Sequence, residues 1–386
     1  MLSGTKNKAI VGVDIEAGSI AATEVRTNGR PELARFGVMP LDSGVVREGE
    51  VADPEALGEA LKELFAASKL SKVVRLGIAN HRVAVRTLHL PPIDDQRELE
   101  TAVRFQAQEE LPMPLEQSVL EWQMIGHSVA DDGSPRIDVV AVAARRDMLG
   151  RLLEAVRRAG LRPVGIDLSA FGMVRALHGG GHDSVGAAGY VSAPTDGVPA
   201  YEDRIGAELA TDAAPDATAA DPGSAKLYCS LGDVTNLAVA RGSTCVFTRV
   251  SSFGVEGIAQ KLAERRTLTL EHARQWIAHT GLEQPLEQIE GDPEVIAAAR
   301  DALTEGSARL VDELRISLEY YAAQEGALPV DGVVACGPGA QIPGLADRLQ
   351  RDLGQRFELG RPEGLAHLSH PDGARLTLPY GLALEE

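Results

Sequence analysis

The chain has 386 residues, with 38 Lys and Arg against 56 Asp and Glu, a net charge of −18. That balance argues against a nucleic-acid or anionic-lipid surface, which needs clustered cations. No stretch approaches the ~20 consecutive apolar residues of a membrane span, and the length allows two or three domains with a sizeable core.

Met1 to Lys8 is polar and runs straight into an apolar strand, so no signal peptide is expected. Ala9–Ile15 and Ile20–Thr27 read as a strand pair, with Asn28-Gly29 as the next turn. Ala56–Ser68 has Leu57, Leu61, Leu64 and Phe65 at helical spacing. Val73–Ala79 and Val83–Leu90 read as strands, the second ended by Pro91-Pro92. Leu99–Leu111 reads as a helix closed by Pro112, and Ile137–Ala143 as a buried strand. Arg146–Ala159 is an amphipathic helix with Met148, Leu149, Leu152, Leu153 and Val156 inward and Gly160 as its stop.

Gly179–Ala225 is rich in Ala, Gly, Pro and Asp and poor in large apolar residues. Such a segment buries too little to offset its ordering entropy, and a disordered acidic insert is expected. The strand-helix pattern resumes with strands Leu227–Leu231, Leu237–Ala240 and Cys245–Val250 and helix Val255–Arg265. A long helix follows from Asp301 to about Gln324, with its stripe at Leu303, Leu310, Leu314, Leu318 and Tyr321. Cys229, Cys245 and Cys336 lack metal-ligand spacing, and two of them sit in apolar strands, so reduced buried thiols are expected. The pairs His178/His182 and His367/His370 have no Cys or carboxylate arranged around them, and no metal is expected there.

Three strand-turn segments carry the chemistry: Val11–Ser19, Tyr228–Asn236 and Val333–Ala340. Each is an apolar strand running into a glycine turn where the backbone must come close to something. In this order they resemble the nucleotide cleft of the actin, sugar-kinase and Hsp70 superfamily. Further blocks resemble the PilM-type type IV pilus assembly proteins, relatives of the divisome protein FtsA. These are Gly44–Asp53, Val85–Pro91 with Glu98–Pro114, Leu268–Arg274, Gly337–Leu345 and Tyr380–Leu384.

The resemblance implies an α/β, actin-like fold of ribonuclease H-like duplicated domains with an FtsA-type inserted small subdomain. The first actin-like domain would take residues 1–81 and 163–178, the inserted subdomain 82–162, the acidic insert 179–225 and the second domain 226–386. It also implies ATP and Mg2+ between the domains. Asp14 would hold the metal, and Gly18 and Ser19 would meet phosphate. Gly232, Asp233, Thr235 and Asn236 would form the second hairpin, with Asp233 standing in for the family's aspartate, which here is Ser230. Gly337, Gly339 and Ala340 would admit the base, and Glu256, Gln260 and Lys261 would line the ribose and adenine side.

As a partner, the resemblance implies the cytoplasmic N-terminal tail of a PilN-like inner-membrane protein. That makes the chain a cytoplasmic, membrane-peripheral scaffold, with the pilus motor ATPase as a further contact. An extended peptide gains main-chain hydrogen bonds along a strand edge. Val83–Leu90 is the candidate edge, with Val85, Arg86, Leu88 and Phe105 around it and Trp122 nearby.

Three departures from the family pattern weaken the cleft, one of them Ser230 in place of the aspartate. Glu16 replaces the usual glycine and would repel polyphosphate, and Ala21 replaces a frequent lysine. Phosphoryl transfer relies on positioning and charge stabilisation, so weak or structural ATP binding is expected, or an empty degenerate cleft. The alternative is a hydrolysing actin-like ATPase or small-molecule kinase, for which no catalytic base stands out. An FtsA-type tether would need a basic amphipathic end, which Leu382–Glu386 does not offer.

Overall fold

The computed structural model describes residues 9–26, 31–130, 132–178, 224–324 and 326–384. Of the acidic insert read at 179–225, residues 179–223 lie outside the described residues, and Ala225 is already the first residue of a strand.

In chain order, β1 (Ile10–Ile15), β2 (Ser19–Arg26) and β3 (Glu32–Pro40) lead to a short hairpin, β4 (Val46–Arg47) and β5 (Glu50–Val51). Helix α1 (Pro54–Ala67) and strand β6 (Val73–Ile78) follow. Next come β7 (Val83–Leu90), α2 (Gln96–Glu110), β8 (Ser118–Val129), β9 (Pro135–Arg145) and α3 (Arg146–Arg158). The first half resumes with β10 (Arg162–Leu168) and α4 (Ser169–Leu177). The second half runs β11 (Ala225–Leu231), β12 (Thr235–Arg241), β13 (Thr244–Ser251), α5 (Val255–Arg266), α6 (Leu270–Thr280), α7 (Pro293–Ala322) and β14 (Val330–Cys336). It closes with α8 (Leu345–Leu353), β15 (Phe357–Leu359) and α9 (His370–Ala383).

Two five-stranded sheets are built to one plan. In the first, β3-β2-β1 is an antiparallel meander, and β6 and then β10 add in parallel beyond β1. In the second, β13-β12-β11 is the meander, and β14 and β15 add in parallel beyond β11. β1 and β11 are nearly continuously buried because each is covered on both faces. On the first sheet, Ile20 and Ala22 face the core shared with α1 and α3, while Ala21 and Val25 face α9. On the second, Leu227, Cys229, Leu237 and Val239 face α5, α6 and α7. Tyr228, Ala238, Ala240 and Cys336 join the core of the first half, so the two halves share a continuous apolar interior.

The helix starts follow local chemistry. Asp53 accepts from the N–H groups of Glu55 and Ala56 at 3.0 Å, and Pro54 opens α1 with its φ already set. Asp292 and Pro293 do the same for α7, which therefore begins well before the expected Asp301. Its first turns bury Val295, Ile296 and Ala299, a stripe too rich in alanine to stand out by spacing. Likewise Asp95 caps α2 ahead of the expected start at Leu99. Sequence reading also missed β3 and β8, whose mostly exposed or half-exposed residues show no clean alternation.

Between β6 and β10, a three-stranded antiparallel sheet β7-β9-β8 packs one face on α2, through Leu88, Leu90, Leu99, Val103, Ala107 and Val139. α3 does not join that cluster: Met148, Leu149, Leu152 and Val156 bury into the core of the first sheet. The stretch expected as one subdomain, 82–162, thus has two packing partners.

The chain ends by returning to the first sheet. α9 lies against β1, β2 and α4. Its approach is close enough that a Cβ on Gly12 would overlap the Pro379 carbonyl, and one on Gly381 the Gly172 carbonyl. Arg75 fixes its end, donating to the carbonyls of Leu382 at 3.0 Å and Leu384 at 2.6 Å. This docking carries Arg375 into the space between the halves.

Candidate functional site

The turn between β1 and β2 and the turn between β11 and β12 occupy equivalent ends of the two sheets and touch. The Ala17 N–H donates to Asp233 Oδ2 at 2.8 Å, and the Glu16 carboxyl lies where a Cβ on Gly232 would be. Asp233 also caps its own turn by accepting from the Val234 N–H at 2.8 Å. An N–H beside Gly18 and Ser19, the residues expected to meet phosphate, is therefore taken by a carboxylate of the opposite half.

Asp14 is 4% exposed, and its partner is Arg375 of α9, whose Nη1 donates to Asp14 Oδ2 at 2.6 Å. Arg375 Nε donates to Ser19 Oγ at 2.9 Å, and its Nη2 donates to the carbonyls of Asp14 and Ser19 at 3.3 and 3.1 Å. Glu16 completes the cluster at 3.5 Å from Arg375 Nε. Burial pushes the Glu16 carboxyl up to about 8, against the pull of Arg375, with Asp233, Asp14 and Glu256 adding to the rise. Burial also raises Asp233, against its two backbone hydrogen bonds. For Arg375, burial works against the charge, but Glu16 and Asp14 outweigh it and the guanidinium is held more firmly protonated than usual.

The other expected site residues fall in different places. A Cβ on Gly18 would stand 2.6 Å from the guanidinium carbon of Arg274, which pairs with Glu256 through Nε at 2.8 Å. Gln260 bonds Glu264 on the exposed face of α5, and Lys261 pairs with Glu305. These two side chains are thus held on the helix surface, not aimed at the turns. Thr235 is spent on the Phe253 carbonyl at 2.7 Å. Gly337 and Gly339 make tight turns, but their missing side chains make room for the chain itself: Ser230 and Leu231 crowd Gly337, and Leu231 and Val255 crowd Gly339. Ala340 is buried beside them. Asn236 is different. It is 2% exposed, and neither atom of its amide has a partner among the described residues.

As arranged, these residues do not fit a magnesium-bound triphosphate. The two turns are in direct contact, the carboxylate expected to hold the metal is paired with an arginine, and the neighbouring Ala17 N–H is occupied. Among the described residues, no group of three or more His, Cys, Asp or Glu is placed to hold a metal ion. Arg375 and Arg274 are the site residues that sequence reading missed. For Arg375 a signal existed: it is the one cation in the otherwise apolar run Ala374–Ala383, and a charge there must find a buried partner.

Of the expected peptide neighbourhood, β7 is an edge strand of its sheet, as the partner reading requires. Phe105 on α2 is 65% exposed. Leu88 is not available. It is fully buried under α2, because its side chain alternates to the core face while Val85 points to the other. Arg86 Nη1 donates to the carbonyl of Val85 at 2.8 Å, and Trp122 packs partly against the α2 core.

The repeated sheet plan, with two hairpin turns facing each other, is the fold of the actin-like proteins. The MreB 5 of Spiroplasma citri bound to AMPPNP shares it, at 12% identity over 97% of this chain and 94% of that one, with a TM-score of 0.50. Within that class the likeness is to PilM. Residues 12–180 match the family model for the type IV pilus assembly protein PilM. A solved PilM-PilN type IV pilus biogenesis complex matches 98% of both chains at 24% identity with a TM-score of 0.71. Over residues 12–180 the chain is similar to PilM in sequence, and beyond them its likeness to PilM is one of fold.

Proposed function

We propose that the chain is a cytoplasmic scaffold of type IV pilus assembly that binds the N-terminal tail of a PilN-like inner-membrane protein. The observation that carries this reading is the PilM match over 12–180, the stretch that contains the β7 edge and α2. Attachment to the membrane would run through that partner, and a pilus motor ATPase is a further candidate contact. Among the described residues, no helix is long and apolar enough to cross a membrane. We keep the expected division into two actin-like domains around an inserted subdomain as the working assignment, with α3 counted with the first on its packing.

The tail would lie along the edge of β7, near Arg86, Val85 and Phe105. Titration of a fluorescent peptide copy of the tail should give saturable binding. Phe105→Ala and Arg86→Glu should weaken it at least tenfold while leaving the melting temperature in place. Unchanged affinity in both variants would move the site elsewhere.

ATP and Mg2+ belong to this reading only as weak ligands. Entry of a triphosphate would separate Arg375 from Asp14. Leaving such a buried charge unpaired costs about 3–5 kcal/mol, which is roughly a 10²–10⁴-fold loss of affinity. Calorimetry should accordingly detect Mg-ATP only at millimolar concentration, if at all. Steady Mg-dependent hydrolysis abolished by Asp14→Ala would instead favour the ATPase reading.

A further inference from the structure

We propose that Arg375 is a built-in substitute for the ligand of this cleft, closing the two halves on each other without nucleotide. Three observations converge. First, Arg375 ties together both ends of the first turn. It bonds the Asp14 carboxylate, the Asp14 and Ser19 carbonyls and the Ser19 hydroxyl, and lies 3.5 Å from Glu16. Second, the turn so held presents the Ala17 N–H directly to Asp233 of the other half, with no space for a third group. Third, the remaining approach over Gly18 is filled by Arg274, itself held by Glu256.

Two arginines, Arg375 of α9 seated on the first sheet and Arg274 of α6, thus occupy the positions where an actin-like cleft would need open backbone and a free carboxylate. Arg375 reaches the site because Arg75 and the close glycine contacts seat α9 on the first sheet. Its backbone is also adapted. Pro379, four residues on, has no N–H to give the Arg375 carbonyl. Arg375 is here a positioning residue: it acts on the first turn, and the turn acts on Asp233. The inference stands apart from tail binding, since it concerns only the state of the cleft.

The test measures the distance between the halves in the full chain. Spin labels go on cysteines placed at Glu59 of α1 and Glu264 of α5, both exposed, while the three native thiols are buried. Pulsed electron paramagnetic resonance should show a single narrow distance peak without nucleotide, unchanged by millimolar Mg-ATP. Arg375→Gln and, separately, Asp233→Ala should each lose that narrow peak. The wild-type titration needs no variant to fold. A broad nucleotide-free distribution that sharpens on Mg-ATP would overturn the proposal, as would a folded Arg375→Gln chain with the wild-type peak. Tail-peptide binding, measured on the same samples, reports separately on the scaffold reading. A narrow peak without peptide binding sinks that reading alone, and peptide binding with a broad peak sinks the clasp alone.

Discussion

Gly12, Gly172, Gly381 and Arg75 set where α9 lies, and through it where Arg375 ends up. Gly381→Ala would put a methyl group into the Gly172 carbonyl, a backbone atom that cannot step aside. Overpacking of a tight contact typically costs about 1–3 kcal/mol, occasionally more. Urea unfolding should place Gly381→Ala at or above the top of that range, whereas Gly150→Ala, with open space around it, should be neutral or stabilising. The cysteines give a second residue-scale expectation. Burial pushes the Cys245 and Cys336 thiols up to about 12 and raises Cys229 as well. Only thiolate reacts quickly, so a thiol reagent at neutral pH should leave all three unmodified in the folded chain and titrate three after denaturation.

At the scale of elements, β7 and α2 separate core from candidate surface. Leu88 and Phe105 were both expected at the peptide groove, yet one lies beneath α2 and the other on its outer face. Leu88→Ala should destabilise by about 2–5 kcal/mol as a core truncation, and any loss of peptide binding would follow from unfolding of the inserted sheet. Phe105→Ala should leave stability within about 0.5 kcal/mol and act on binding alone. Thermal melts run beside the peptide titration distinguish the two. The positions of α1 and α3 followed from their apolar stripes and, for α3, the Gly160 stop, and both helices lie within two residues of where those signals put them. β3 and β8 escaped because partly exposed strands carry weaker periodicity than the doubly covered β1 and β11.

At the scale of the molecule, the duplication is visible in strand order and nearly invisible in sequence. The two meanders share a plan, while their glycine turns differ in every flanking residue that would touch a phosphate. Equivalent turns brought face to face make a cleft. What fills the cleft is decided by side chains that arrive from elsewhere, Arg375 from the last helix and Arg274 from α6.

The strand-turn segments, the order of the two halves and the PilM resemblance can be read along the chain, because these rest on local apolar periodicity, turn glycines and short blocks. It also flagged Glu16 as hostile to a polyphosphate. What the carboxylates face is set by the folded chain alone. Asp14 and Arg375 are 361 residues apart in the chain and Ala17 and Asp233 are 216 apart, and no local pattern encodes a partner at that separation. The pairing arises because burying the apolar faces of α9 and of the two sheets leaves their few charged groups nowhere to go but to one another.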